Sequence, residues 1–218
     1  MDKAILPRGG DMEEEMRNPT LLAVCMHEAG HAIAQLATGP APWIDNIEVD
    51  RPDERQLGIV HTEALWQPSY MREAGAPAEI IGQWRRLAAR DIVIFLAGPI
   101  GELRWRRHTR TQLQIGAFEM SWNCFGLEEP DLRTDFGMVR SRLAWLMPGG
   151  EQDGFERAWI AAEEVAAGWW REIVRLGREL HARGRIEDED LLPLWKAMRA
   201  GRREDAKTRA AAADWLED

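Results

Sequence analysis

A chain of 218 residues with 45% hydrophobic side chains is long enough for one domain with a substantial core, one that buries roughly 70% of the unfolded surface. Its 28 basic and 37 acidic side chains leave a net charge of −9, which argues against broad attraction to nucleic acid or to an anionic membrane. Two cysteines make no disulfide framework, and the longest apolar run, within residues 91–100, is far too short to span a bilayer, so a soluble, cytoplasmic protein is expected.

Residues 1–18 read as a flexible arm: Gly9-Gly10 and Glu13-Glu14-Glu15 favour solvated chain, and no apolar signal core is present. A helix is expected over about 19–38. Asn18 can cap it, Pro19 suits its first turn, and Gly39-Pro40 stops it. Cys25 falls inside this apolar helix and reads as a small buried thiol. Strands follow at 43–49 and 57–61 around the turn Arg51-Pro52-Asp53-Glu54, making a hairpin. After a loop over 67–77, Ile80, Ile81, Trp84, Leu87, Ala88, Ile92 and Phe95 mark the apolar face of a helix over 78–97. Gly98-Pro99 should break or kink it, with a short helix resuming over 100–107.

Residues 109–129 are polar and irregular. A helix then opens at Pro130 or Asp131 and ends at Pro148-Gly149-Gly150. Phe155, Trp159, Ala162, Val165, Trp169, Ile173, Leu176 and Leu180 predict one long amphipathic helix over 154–182, closed by Gly184. A short helix over 191–198 comes last, and 201–218 reads as a loose polar tail. The domain is thus 19–200, mainly α with a small β-hairpin. The aromatic residues Trp159, Trp169 and Trp170 read as core or as a contact between copies in a homo-oligomer.

Within the first helix stands His27-Glu28-Ala29-Gly30-His31, an H-E-x-x-H. Residues i and i+4 lie one above the other on a helix face, so two imidazoles at this spacing can grip one zinc ion, and Glu28 can act as general base on a water beside it. Chance alone produces such a motif in a chain of this composition about one time in a hundred. A catalytic zinc takes three protein ligands and leaves a position open. His61 and His108 are available as the third, although a strand His and a His in an Arg-rich segment read as structural or solvated. Glu102 could hold a ligand His through its second ring nitrogen, the alternative being a surface Glu. Glu13 to Glu15 and Glu128-Glu129 read as solvated charge.

The order of these landmarks resembles the zinc-peptidase domain of FtsH-type AAA+ proteases. The His-Glu-Ala-Gly-His helix is the specific match. Leu57-Gly58 in the hairpin, Gly98-Pro99-Ile100-Gly101-Glu102 and Asp131-Leu132 are looser ones, with Pro99 where the family typically has Arg. The resemblance spans about 19–198 and implies a helical, zincin-like peptidase domain. In it His27, His31 and Asp131 would bind zinc, Asp135 one turn further on would be the alternative ligand, and Glu28 would be the catalytic base. No G-x-x-x-x-G-K-[ST] occurs in the chain, so the peptidase half alone is implied, without its own ATPase domain and with an AAA+ unfoldase as a partner in trans. The expected activity is zinc-dependent endopeptidase cleavage of unfolded or flexible protein segments. The rival readings are a catalytically inactive helical relative that binds a partner, and a zinc hydrolase acting on a non-peptide substrate.

Overall fold

The computed structural model describes residues 21–39, 44–49, 59–62, 77–107, 134–200 and 215–216. The elements in order are α1 (Leu21–Thr38), β1 (Ile44–Glu48), β2 (Ile59–Thr62), α2 (Ala78–Arg106), α3 (Asp135–Leu146), α4 (Glu151–Gly168), α5 (Trp170–Arg183), β3 (Arg185–Glu187) and α6 (Asp188–Ala200). The fold is mainly α with a small antiparallel hairpin, as the periodicities predict. The arm at 1–18, the Leu57-Gly58 pair, His108 and the irregular stretch 109–129 lie outside the described residues. No described helix is long and apolar enough to cross a membrane.

The central helix is α1. It is apolar nearly all round, and from Ala23 to Thr38 only His27 is more than marginally exposed, as a helix with neighbours on every side must be. It packs against α2 and α5, while α3 and α4 pack against α2. Cys25 is fully buried here, and burial, reinforced by the nearby Glu28 charge, pushes its thiol up to about 12. The two longest neighbours run antiparallel: a Cβ at Gly101 would meet the Met26 carbonyl at 2.8 Å, and one at Gly30 would meet the Ala97 carbonyl at 2.3 Å. Backbone therefore approaches backbone through this pair of helices, which only a missing side chain permits.

Three expectations are corrected. Pro99 does not break its helix, since α2 runs unbroken from Ala78 to Arg106 with Pro99 inside it. A mid-helix proline costs about 3 kcal/mol. Around it Ile92, Leu96, Ile100 and Leu103 are all buried, each worth roughly 1.5–3 kcal/mol, so tertiary burial outweighs the lost hydrogen bond. The long helix over 154–182 is two, α4 and α5, divided at Trp169, whose ψ of 21° departs from helical geometry. The third correction is to the loose tail. Trp215 is only 5% exposed, and its indole N–H donates to the Ala89 carbonyl at 3.2 Å, giving a buried polar tip its partner.

The hairpin gains a third strand that periodicity did not announce: β1 lies between β2 and β3, antiparallel to both. Its pairing with β2 shifts between Ile44 and Asn46. That irregularity re-phases the two-residue alternation, so Ile44 and Ile47 are both buried while Asp45 is exposed. Arg185 reaches across from β3 to Glu48 at 2.9 Å, an exposed pair that solvent screens and that adds little to stability. Gly184, at φ 78°, closes α5 in the left-handed region as expected and turns the chain into β3. Of the tryptophans read as core or subunit contact, Trp159 is core at 2% exposure, with Trp169 and Trp170 packed part-buried against it.

Candidate metal centre

His27 and His31 sit one turn apart on α1, rings edge to face with centroids 4.7 Å apart. The His31 Nδ1–H donates to the Ile94 carbonyl of α2 at 2.9 Å. That bond sets the tautomer and leaves the Nε2 lone pair facing outward. The ring occupies the space that a side chain at position 98 would fill, since a Cβ on Gly98 would come within 2.3 Å of His31 Nε2. His27 Nδ1 meets Glu102 Oε2 at 3.2 Å, and Glu102 is itself held by the Arg106 Nε–H at 2.9 Å. Glu102 is thus the partner of the His27 Nδ1, the contact that the sequence left open beside a surface position.

Asp135 completes the group. The Thr134 hydroxyl accepts the Gly137 N–H at 3.0 Å and starts α3 at Asp135, where the helix N-terminus favours a carboxylate. Its Oδ2 lies 2.9 Å from His27 Nε2 and its Oδ1 3.3 Å from His31 Nε2. One ligand atom from each of His27, His31 and Asp135 can be chosen so that all lie within 4.8 Å of one another, and the group can hold a metal ion. Zinc bonds of about 2.0–2.1 Å at a tetrahedral angle place ligand atoms about 3.3 Å apart, a spacing the two Nε2-to-carboxylate separations approach. Two imidazoles and a carboxylate, with no thiolate, form a donor set that zinc accepts.

Asp131, expected as the third ligand, lies outside the described residues; Asp135, the alternative, is the carboxylate brought to the histidines. The difference traces to the helix start. With α3 opening at 130 or 131, Asp131 would occupy the mobile first turn and Asp135 the packed interior. Thr134 is extended, at φ −117° and ψ 148°, so the first-turn carboxylate is that of Asp135. His61 sits in β2, where its backbone pairs with Asn46.

Burial and charge pull against each other throughout the centre. Burial opposes charge on His27, but hydrogen bonds to Asp135 and Glu102 outweigh it and lift the imidazole well above its ordinary value. His31 is lifted likewise, against burial, by Asp135. Burial would raise Asp135, yet the two histidines hold it far below the usual carboxylate range, and His27 with Arg106 draws Glu102 down against its own burial. Glu28 goes the other way: it is 6% exposed, burial raises it, and the histidine charges only partly offset that. Among the described residues Glu28 has no hydrogen-bond or ion-pair partner, so its carboxylate is unengaged beside the group. A cation entering here displaces protons from the histidines.

Fold and centre together define a mainly helical domain with a two-histidine, one-aspartate group that could hold a metal ion. No protein-family model matches the chain, and no curated protein matches it.

Proposed function

We propose that the chain is a zinc-dependent endopeptidase that cuts unfolded or flexible protein segments, akin to the peptidase half of the FtsH-type proteases that its landmarks resemble. The observation that carries this is the convergence of His27, His31 and the Asp135 carboxylate next to the unengaged Glu28. His27, His31 and Asp135 would hold the ion. Zinc, when bound, supplies a positive charge that polarises a carbonyl and brings a water's pKa down to about 7.

The chain's own groups do the rest. Glu28, one residue from His27 and without a hydrogen-bond partner among the described residues, takes the proton of the attacking water and returns it to the departing amine. Its upward shift suits a group that must both take and give a proton. Glu102 and the Ile94 carbonyl hold the two imidazoles by their Nδ1 sides, which keeps each Nε2 directed at the ion. These 218 residues carry no nucleotide-binding loop, so their cleavage of an already unfolded chain needs no ATP, and an AAA+ unfoldase would deliver folded substrates to them.

The test is cleavage of a denatured protein mixture with and without a chelator, for the parent and Glu28→Gln. The parent should cleave only when zinc is present. Glu28→Gln should bind zinc as the parent does yet cleave at least ~10²-fold more slowly, the scale of a lost general base. Parent-rate cleavage by Glu28→Gln, or by the chelated parent, refutes the mechanism. A zinc-loaded parent that cuts no peptide but hydrolyses small esters or amides moves the assignment to a non-peptide hydrolase.

A further inference from the structure

Two turns along α3 from Asp135, on the same helix face, stands Arg142. It is 3% exposed, and its guanidinium donates to Asp91 Oδ2 of α2 at 3.3 Å. The same guanidinium lies 4.7 Å from the centroid of the Phe95 ring, and that ring meets the His31 ring edge-on with centroids 6.3 Å apart. Asp91 and Gly98 are also two turns apart, and Gly98 is where the His31 ring rests against α2. The two helices therefore share two rungs, Asp91 with Arg142 and Gly98 with Asp135 through His31, separated by about 10 Å on each helix. Equal spacing in opposite chain directions is the condition for one rung to hold the register of the other.

We propose that Asp91 and Arg142 are positioning residues whose buried pair sets the register of α3 along α2 and thereby brings Asp135 onto His27 and His31; the proposal rests on the metal-binding reading above. A slip of one residue moves a helix about 1.5 Å along its axis, enough to turn the 2.9 Å and 3.3 Å contacts of Asp135 into no contact at all. Stability alone gives little reason for such a pair. Both groups are taken out of water at a cost that their attraction barely recovers, and apolar residues of the same size would hold the seam as firmly. Burial raises Asp91 and lowers Arg142, the signature of that cost. What an apolar pair lacks is direction: Leu and Met tolerate sliding past one another, whereas a carboxylate and a guanidinium over an aromatic ring do not.

The experiment replaces the buried charges of the cluster together, Asp91→Leu with Arg142→Met and Arg90→Met, so that none is left buried and alone. Zinc affinity is read by competition with a chelator, the visible spectrum of the cobalt(II)-loaded protein reports the ligand geometry, and thermal unfolding of the metal-free protein reports stability. The expected result is a melting temperature equal to the parent's or higher, zinc bound at least ~10-fold more weakly, and an altered cobalt spectrum. Leu191→Ala, a truncation in the core on α6, serves as the control for stability alone and should leave zinc affinity at the parent's value. Should the apolar variant fail to fold, the neutral set Asp91→Asn, Arg142→Gln and Arg90→Gln is read in the same way. Parent-like zinc affinity and cobalt spectrum in the folded variant overturn the register role while leaving the metal centre standing. So does a loss of affinity that the Leu191→Ala control matches. A parent that holds no zinc overturns both.

Discussion

At one point on the α2–α3 seam, Asp91 faces two guanidiniums, Arg142 at 3.3 Å and Arg90 at 3.7 Å. Two turns away, the carboxylates of Asp135, Glu102 and Glu28 surround two imidazoles, with Arg106 the cation held to Glu102. The first cluster is rich in positive charge and closes on itself through ion pairing and a ring contact. Among the described residues the second has three carboxylates to one guanidinium, an excess that equals the charge of a divalent cation. Buried like charges persist only when something compensates them. In the first cluster that something is a fixed side chain. In the second it is exchangeable: protons on His27 and His31, or a metal ion in their place. A cluster closed by ion pairing suits the holding of a register, as proposed for Asp91 and Arg142, whereas a cluster rich in carboxylates suits the taking of a cation.

The comparison breaks most completely if the histidines are removed. His27→Ala with His31→Ala deletes two of three ligands and should leave no zinc at stoichiometric loading by elemental analysis, while the Asp91–Arg142 pair keeps the helices together and the far-ultraviolet circular dichroism unchanged. Full zinc occupancy in that variant would mean the second cluster is no metal centre. Next in size is the contest between carboxylates. Asp135→Asn should weaken zinc by ~10²-fold or more in a chelator titration, and Asp131→Asn should leave it within error; the reverse ranking would return the third position to Asp131. The smallest effect belongs to the supporting residue. Glu102→Gln keeps the shape and a hydrogen-bond acceptor for His27 but loses the charge, and should weaken zinc by ~10-fold, toward the lower end for outer partners of a metal ligand. No change at all would make Glu102 a salt-bridge partner of Arg106 alone.

Much of this protein is legible without coordinates because it follows from local chemistry. The spacing of His27, Glu28 and His31 places both imidazoles on one face of any helix, whatever surrounds it. The apolar run around them makes that helix central, and Gly184 ends α5 because a left-handed residue is needed there. Glu102 and Arg106 are a helix turn apart, so their bond was open to the same reading. The misreadings share one cause, which is that local signals were outweighed by distant ones. Pro99 reads as a break, yet the helix on either side of it is buried against α1 and its neighbours.

Trp215 reads as tail, yet an indole that can both bury its ring and find the Ala89 carbonyl docks whatever the polarity of the residues before it. The short strand β3 carries no periodicity long enough to detect, and exists because β1 offers it a free edge. The placing of the Asp135 carboxylate is likewise decided at a distance. In a helix opening at Pro130 or Asp131 the two aspartates, Asp131 and Asp135, would share a face, so spacing is silent between them. Thr134 decides where α3 begins, the buried Asp91–Arg142 pair lies two turns further along the seam, and across 108 residues of sequence separation only the packed helices bring the Asp135 carboxylate 2.9 Å from His27.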